Sequence, residues 1–144
     1  MKKWLKIIGI LAVIGIIAAV LVYFFVINKP HPDYEKEQPA FTLSAKQLFE
    51  EYKTDKEAAH GKYTGQVLQI NGSLSKTEFP DTTAIAIFVF EEGMFGDEGI
   101  RCVMLEKFNE ELQNHGRGQS IGIKGYCTGY NDTDVILTHC SMVE

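Results

Sequence analysis

Ala84-Ile85-Ala86-Ile87-Phe88-Val89-Phe90 is apolar at every position, rich in β-branched and aromatic residues, and short. Such a run fits a strand covered on both faces. It makes up most of a strand expected over Thr82 to Phe90, and a strand buried on both sides needs neighbours. Tyr63 to Leu74 supplies one before it, with Gly65 and Gly72 where a strand can bend or bulge. After it, Gly93 to Gly99 reads as a loop. Ile100 to Leu105, Ser120 to Gly129 and Val135 to Val143 read as strands. Tyr130-Asn131-Asp132-Thr133-Asp134 makes a turn between the last two. Between the third and fourth strands, Glu106 to His115 reads as a short helix with Leu105, Phe108 and Leu112 on one side, stopped by Gly116 and Gly118.

Helices precede the strands. Ser44 and Gln47 have capping-box spacing, and Leu43 and Leu48 sit at the two positions of a hydrophobic staple. Ala45, Leu48, Phe49 and Tyr52 then recur at helical spacing and make one apolar stripe. Thr54 and Glu57 form a second capping box for a helix ending near Gly61. The order is therefore helices, then β-β-β-α-β-β. Five strands with a helix between the third and fourth is the order of an OB-fold barrel, and an open α+β sheet shares it. The expected fold is mainly β: a five-stranded OB-fold barrel with an N-terminal helical extension.

From Ile7 to Ile27 the chain has 21 residues without a charge. As a helix they rise roughly 32 Å at about 1.5 Å each, which matches a hydrocarbon core of about 30 Å. A cleaved signal peptide has a shorter apolar region ending at small residues. Here the run ends in Tyr23-Phe24-Phe25-Val26-Ile27, so a retained transmembrane helix is expected. Lys2, Lys3 and Lys6 precede the span and Lys29 alone follows it closely. Positive flanks stay in the cytoplasm, which places the N-terminus inside and the remainder outside, periplasmic or extracellular. The expected organisation is an anchor over 1–27, a proline-containing linker over 28–40 and an OB-fold domain over 41–144.

Beyond Lys29 there are ten basic and nineteen acidic residues, a net charge of −9. A surface that acidic repels phosphate backbones unless positive charge is focused locally, so it disfavours nucleic acid and anionic lipid as partners. Cys102, Cys127 and Cys140 are the three cysteines. In a hairpin centred near Thr133 and Asp134, Cys127 and Cys140 stand opposite each other. Facing Cα atoms about 4.5–5.5 Å apart suit a disulfide, the alternative being two buried thiols. Cys102, in an apolar strand, reads as a core residue. His139, next to Cys140, points to the other face of its strand, so no metal site is expected there.

The outer domain resembles the bacterial tRNA-anticodon-binding-like OB-fold family of envelope proteins. The resemblance is carried by Phe41-Thr42-Leu43-Ser44-Ala45 with Leu48-Phe49-Glu50-Glu51-Tyr52, then Tyr63-Thr64-Gly65 and Arg101-Cys102. It is strongest in Ile123-Lys124-Gly125-Tyr126-Cys127-Thr128-Gly129-Tyr130, followed by Asp134-Val135-Ile136-Leu137 and Cys140. It covers roughly residues 40 to 144 and implies an OB fold with a nominal nucleic-acid-binding label. That label comes from fold analogy, and fold does not fix function. The resemblance carries no assigned site.

No catalytic motif is apparent: there is no His-Glu-x-x-His, phosphate-binding glycine loop or Gly-x-Ser-x-Gly. No enzyme activity and no cofactor are expected. OB folds bind ligands on strands two and three and on the loops joining strands one–two and four–five, here near Ser73 to Asp81 and Tyr130 to Asp134. Lys76, Arg101, Lys124, Tyr126 and Tyr130 are the candidate ligand-binding residues, the tyrosines as stacking platforms. Glu91, Glu92, Asp97 and Glu98 crowd one loop without the spacing of a calcium site and read as solvated carboxylates. Met94 and Phe95 at the tip of that loop mark either a partner contact or a tucked-in loop. The expected function is a membrane-anchored, non-enzymatic binding module for an envelope protein, peptide or glycan. The alternative is an oligonucleotide-binding domain.

Overall fold

Helix α1 (Lys2–Val22) continues into a π-helical turn over Tyr23–Ile27. These 26 residues are long and apolar enough to cross a membrane, and none of their side chains is buried. A helix that is apolar all round has no single face to lay on a soluble core. A membrane anchor and a signal sequence share these features. The computed structural model describes residues 1–27 and 33–143 and forms two units, Met1–Pro32 and Asp33–Glu144. Asn28 to Pro32, which hold Lys29 and the first part of the expected linker, lie outside the described residues.

The second unit runs β1 (Phe41–Ser44), α2 (Ala45–Thr54), α3 (Lys56–Tyr63), β2 (Val67–Ser73), β3 (Lys76–Glu78), β4 (Ile85–Gly93) and β5 (Gly96–Met104). A 3-10 turn over Glu106–Phe108 then leads into α4 (Asn109–Gln113), followed by β6 (Ser120–Tyr130) and β7 (Asp134–Val143). The sheet order is β1-β2-β6-β7-β5-β4-β3, with β1–β2 and β5–β7 parallel and the other pairs antiparallel. β2 and β3 are two halves of one strand. The Leu74 N–H donates to the Gln119 carbonyl at 2.9 Å and the Ser75 N–H to the Ile87 carbonyl at 3.0 Å. Consecutive residues thus bond to opposite neighbours, the strand passes from β6 to β4, and the sheet closes into an OB-fold-like barrel. Its five strands are β2/β3, β4, β5, β6 and β7, with α4 between the third and fourth.

The bend in the first strand falls at Leu74–Ser75 and not at the expected glycines. Gly72 has another task. A Cβ there would meet the Ala45 Cβ at 3.0 Å and the Phe88 ring at 3.2 Å, so its lack of a side chain lets α2 and β4 approach. The mainly β description holds for the second unit. Over the whole chain α1 brings helix and strand to near parity, and the chain is mixed α/β.

The stripe on α2 packs as its spacing requires: Ala45, Leu48, Phe49 and Tyr52 are fully buried, and Phe49 stacks on Phe90 at 5.5 Å. Ser44 caps the helix, its Oγ accepting from the Gln47 N–H at 3.1 Å. The Gln47 side chain donates to Glu51 at 3.1 Å and does not accept the Ser44 N–H, so only half of the expected box forms. The cap of α3 is Asp55, which accepts from the Ala58 N–H at 3.1 Å. Thr54 is still helical, and α3 passes through Gly61 to Tyr63. Residues 41–44, which are not among the expected strands, add a parallel edge strand beside β2.

Two expectations about the later strands are corrected. The loop expected over Gly93 to Gly99 is mostly strand, because β4 continues to Gly93 and β5 begins at Gly96, leaving only Met94 and Phe95 as the turn. The expected Cys127–Cys140 disulfide is absent, and all three cysteines are free and buried. Cys127 faces Leu137 across the hairpin. Thr128 bulges on one strand, and His139 and Cys140 together face Gly125 on the other, with His139 at φ +52°. Tyr130 faces Val135, so the hairpin is centred on Asp132–Thr133 and not on Thr133–Asp134; this alone puts Thr138 opposite Cys127, and the Thr128 bulge moves that partner on to Leu137. Cys140 lies against Cys102, and burial pushes its thiol far above the ordinary range. Burial also raises the Cys127 thiol.

Candidate functional site

The outer surface of β3–β4–β5 is the face OB folds use for ligands. Across it Lys76 faces Ile87, Glu78 faces Ile85, and β5 contributes Arg101 and Val103 on the far side. Ile85, Ile87 and Val89 form an aliphatic strip along its middle, since Ala84, Ala86 and Phe88 point into the core. Arg101 donates from Nε to the Asp134 carboxylate at 3.1 Å and from a terminal nitrogen to Glu78 at 3.2 Å. Lys76 pairs with Asp97 at 3.0 Å. Asp134, nearly buried, also accepts the Gly99 N–H at 3.1 Å. The two cations of this face are therefore neutralised by carboxylates of the barrel itself, and Ile87, which stands between them in the register, is only 2% exposed. The loop expected at Ser73 to Asp81 is shorter, because Ser73 lies in β2 and Lys76 in β3. The connection to β4 starts at Phe79, which is exposed.

The other candidate residues lie elsewhere. Tyr130, at the end of β6, is half-buried 5.7 Å from the Tyr52 ring, with the Lys56 ammonium 5.7 Å over it. Lys56 also pairs with Asp132 at 2.6 Å, so α3 already engages the loop joining strands four and five. Lys124 and Tyr126 project from β6 on the opposite side of the barrel. The Tyr34 ring stacks on Tyr126 at 4.7 Å and 27°, with His139 at 5.2 Å. The Lys124 ammonium donates to the Glu35 backbone carbonyl, and Lys107 pairs with the Glu35 carboxylate. The five candidates thus occupy three separate places. Tyr34 and Glu35 were hidden in what read as a linker, and no local signal in Asp33-Tyr34-Glu35 marks them as packed.

The β4–β5 hairpin ends in the most exposed apolar side chains of the second unit: Met94 is 94% and Phe95 91% exposed. The tucked-in reading does not hold. Behind the tip, Glu91 faces Glu98 and Glu92 faces Asp97 across the strands. Like charges directly opposite destabilise a strand pair. Lys53 on α2 answers the first pair, donating to Glu91 at 2.6 Å and also to Glu98, and these carboxylates raise its pKa. Beside the hairpin, a shallow groove of about 510 Å³ at the strand crossing carries both signs of charge, Lys76 and Arg117 against Glu92 and Asp97.

The buried Tyr52 hydroxyl lies 2.9 Å from the Thr64 hydroxyl and 3.3 Å from the Cys127 sulfur. Desolvation is the main cause that drives its pKa far up, so it is a neutral structural hydrogen-bonding group. Among the described residues no group of three or more His, Cys, Asp or Glu is placed to hold a metal ion.

The model of the tRNA_anti-like family matches residues 1–142. Among solved structures, a Klebsiella pneumoniae protein described as a "putative nucleic acid-binding lipoprotein" superposes with a TM-score of 0.53 at 14% identity, over 81% of this chain and all of that one. A chain of the yeast Stn1 and Ten1 crystal structure has a TM-score of 0.37 at 12% identity, over 77% of this chain and 65% of that one. Likeness at these identities bears on fold alone, and the yeast superposition is too loose to add to it. No curated protein matches the chain by sequence.

Proposed function

This chain belongs to the tRNA_anti-like family, and from that premise we propose that it is a membrane-tethered OB-fold module that binds a segment of a partner protein without catalysing a reaction. The observation that carries the proposal is the hairpin tip. Two large apolar side chains stand almost fully in solvent on a two-residue turn, backed by four carboxylates and flanked by a groove. An exposed apolar tip is costly to keep unless something takes it up. A partner with an apolar pocket would cover the tip, and a basic group on its rim would meet Glu92, since Lys53 and Lys76 already pair with Glu91, Glu98 and Asp97. The apolar α1 serves as the anchor, with its lysine-rich end in the cytoplasm and the barrel outside.

Single-stranded nucleic acid is the second reading, favoured by the family's name and by the description of the Klebsiella lipoprotein. Such binding uses unpaired cations along a groove and aromatic rings on which bases stack. Lys76 and Arg101 are instead paired, the strip between them is aliphatic, and the unit is strongly acidic. A sugar ligand would equally want an aromatic platform on that face.

Two measurements separate the readings. A photo-crosslinker at Phe95 in intact cells is expected to trap one dominant protein, and recovery of lipid and background alone would sink the partner reading. Anisotropy with single-stranded DNA and RNA at low and moderate salt is expected to stay flat. A saturable, salt-sensitive rise would move the assignment to nucleic acid.

A further inference from the structure

The segment Asp33–Glu37 lies on the outer face of β6 and β7 as a strap, and its contacts are those of a bound ligand. One aromatic ring, Tyr34, packs against Tyr126 at 4.7 Å and His139 at 5.2 Å. One residue further, Glu35 offers its backbone carbonyl to Lys124 and its carboxylate to Lys107. The receiving residues come from β6, β7 and the 3-10 turn before α4, so this surface is assembled from three separate parts of the chain.

The charge pattern sets this surface apart. Lys46, Lys53, Lys56, Lys62, Lys76 and Arg101 each pair with a carboxylate of the helices, the barrel strands or their loops. Lys107 and Lys124 take their polar partner from the strap alone among the described residues. With the strap lifted, two lysines, a tyrosine ring and an imidazole stand together uncovered on an otherwise acidic unit. Positive charge focused in this way attracts an anionic group, and the neighbouring rings hold an aromatic one.

We infer that the β6–β7 face is a recognition site for an acidic peptide segment bearing an aromatic residue, and that Asp33-Tyr34-Glu35 fills it in cis as a competing pseudo-ligand. The occupant is peptide: a backbone carbonyl takes the Lys124 ammonium, and an Asp-aromatic-Glu order places ring and carboxylate. A strap tethered a few residues from its site acts at an effective concentration of roughly millimolar, so a segment from another protein binds weakly until the strap is displaced. The inference stands independently of the hairpin-tip proposal, because none of these residues lies on that hairpin.

The test uses the full chain in nanodiscs and a fluorescent Asp-Tyr-Glu-Lys-Glu peptide as the probe. Tyr34→Ala with Glu35→Ala is expected to bind the peptide at least about tenfold more tightly than the unaltered chain, the factor by which a strap in excess of its own dissociation constant masks the site. Adding Tyr126→Ala and Lys124→Ala is expected to return binding to background. Circular dichroism and a thermal melt verify that each variant is folded, and Glu35→Gln provides a milder release that leaves both rings in place. Equal affinity for the unaltered and strap-released chains overturns the inference, as does no peptide binding by any folded strap variant. Binding of a single-stranded oligonucleotide, without the peptide, to the released chain also overturns it, assigning the face to nucleic acid.

Discussion

Two faces of one barrel handle their cations in different ways. On β3–β4–β5, Arg101 and Lys76 are neutralised by Asp134, Glu78 and Asp97, all parts of the barrel. On β6–β7, Lys124 and the neighbouring Lys107 depend on Glu35, which lies outside every strand and helix. The first arrangement forms with the fold and can be lost only by disturbing it. The second can be removed while the barrel stays closed. A surface built on the ligand-binding strands of an OB fold is thus sealed, and one on the opposite side is merely covered.

The largest expected effect comes from breaking the sealed face. Asp134→Ala leaves the Arg101 Nε–H and the Gly99 N–H without their acceptor and should cost about 3 kcal/mol, near the low end for a broken buried pair because Arg101 keeps Glu78 and some solvent. Urea unfolding measures this, and a second change, Arg101→Met, should recover part of the loss. A cost under roughly 0.5 kcal/mol, the level of an ordinary surface substitution, would mean that this face is not held from within. Tyr34→Ala on the covered face should cost only about 1 kcal/mol, the scale of one aromatic pair. Hydrogen exchange should then quicken in the strap while the amides of β6 and β7 remain protected. Deprotection of the whole hairpin would erase the distinction between the faces. Met94→Ser with Phe95→Ser should leave the midpoint within about 0.5 kcal/mol of the original, since the tip packs on nothing, while the crosslinked partner disappears. The smallest expected effect is none. Reductant should leave the unfolding midpoint unmoved, and all three thiols should titrate once denaturant opens the core. A midpoint that falls with reductant would establish a disulfide in the β6–β7 hairpin or between β5 and β7.

How far the sequence could be read depended on the range of the interaction. The α2 stripe was visible because Ala45, Leu48, Phe49 and Tyr52 repeat with the period of their own helix, and all four are buried. The β4 run was visible because β-branched and aromatic residues mark a covered strand. The β4–β5 tip was misread because Gly93, Gly96 and four carboxylates look like a loop. The strands pair there with the help of Lys53, whose partners Glu91 and Glu98 lie 38 and 45 residues away. The Cys127–Cys140 pairing failed because the turn is centred one residue earlier than Thr133–Asp134, with Tyr130 facing Val135, and the Thr128 bulge then moves the partner of Cys127 one further, to Leu137. Of the five candidate ligand residues, Lys76 and Arg101 fall on one face, Lys124 and Tyr126 on another, and Tyr130 against α2 and α3, a division that the expected barrel order did not reveal.

The sequence by itself determined the apolar helix at the N-terminus, the order of the strands and the acidic balance of the second unit. Each follows from composition or from periodicity within a dozen residues. Only the tertiary structure decided which cations remain available, because neutralisation depends on carboxylates brought close by the closed barrel. Arg101 meets Asp134 across 33 residues of chain, and Lys124 meets Glu35 across 89. Coulomb attraction and ring stacking act over a few ångströms of space and take no account of separation along the chain.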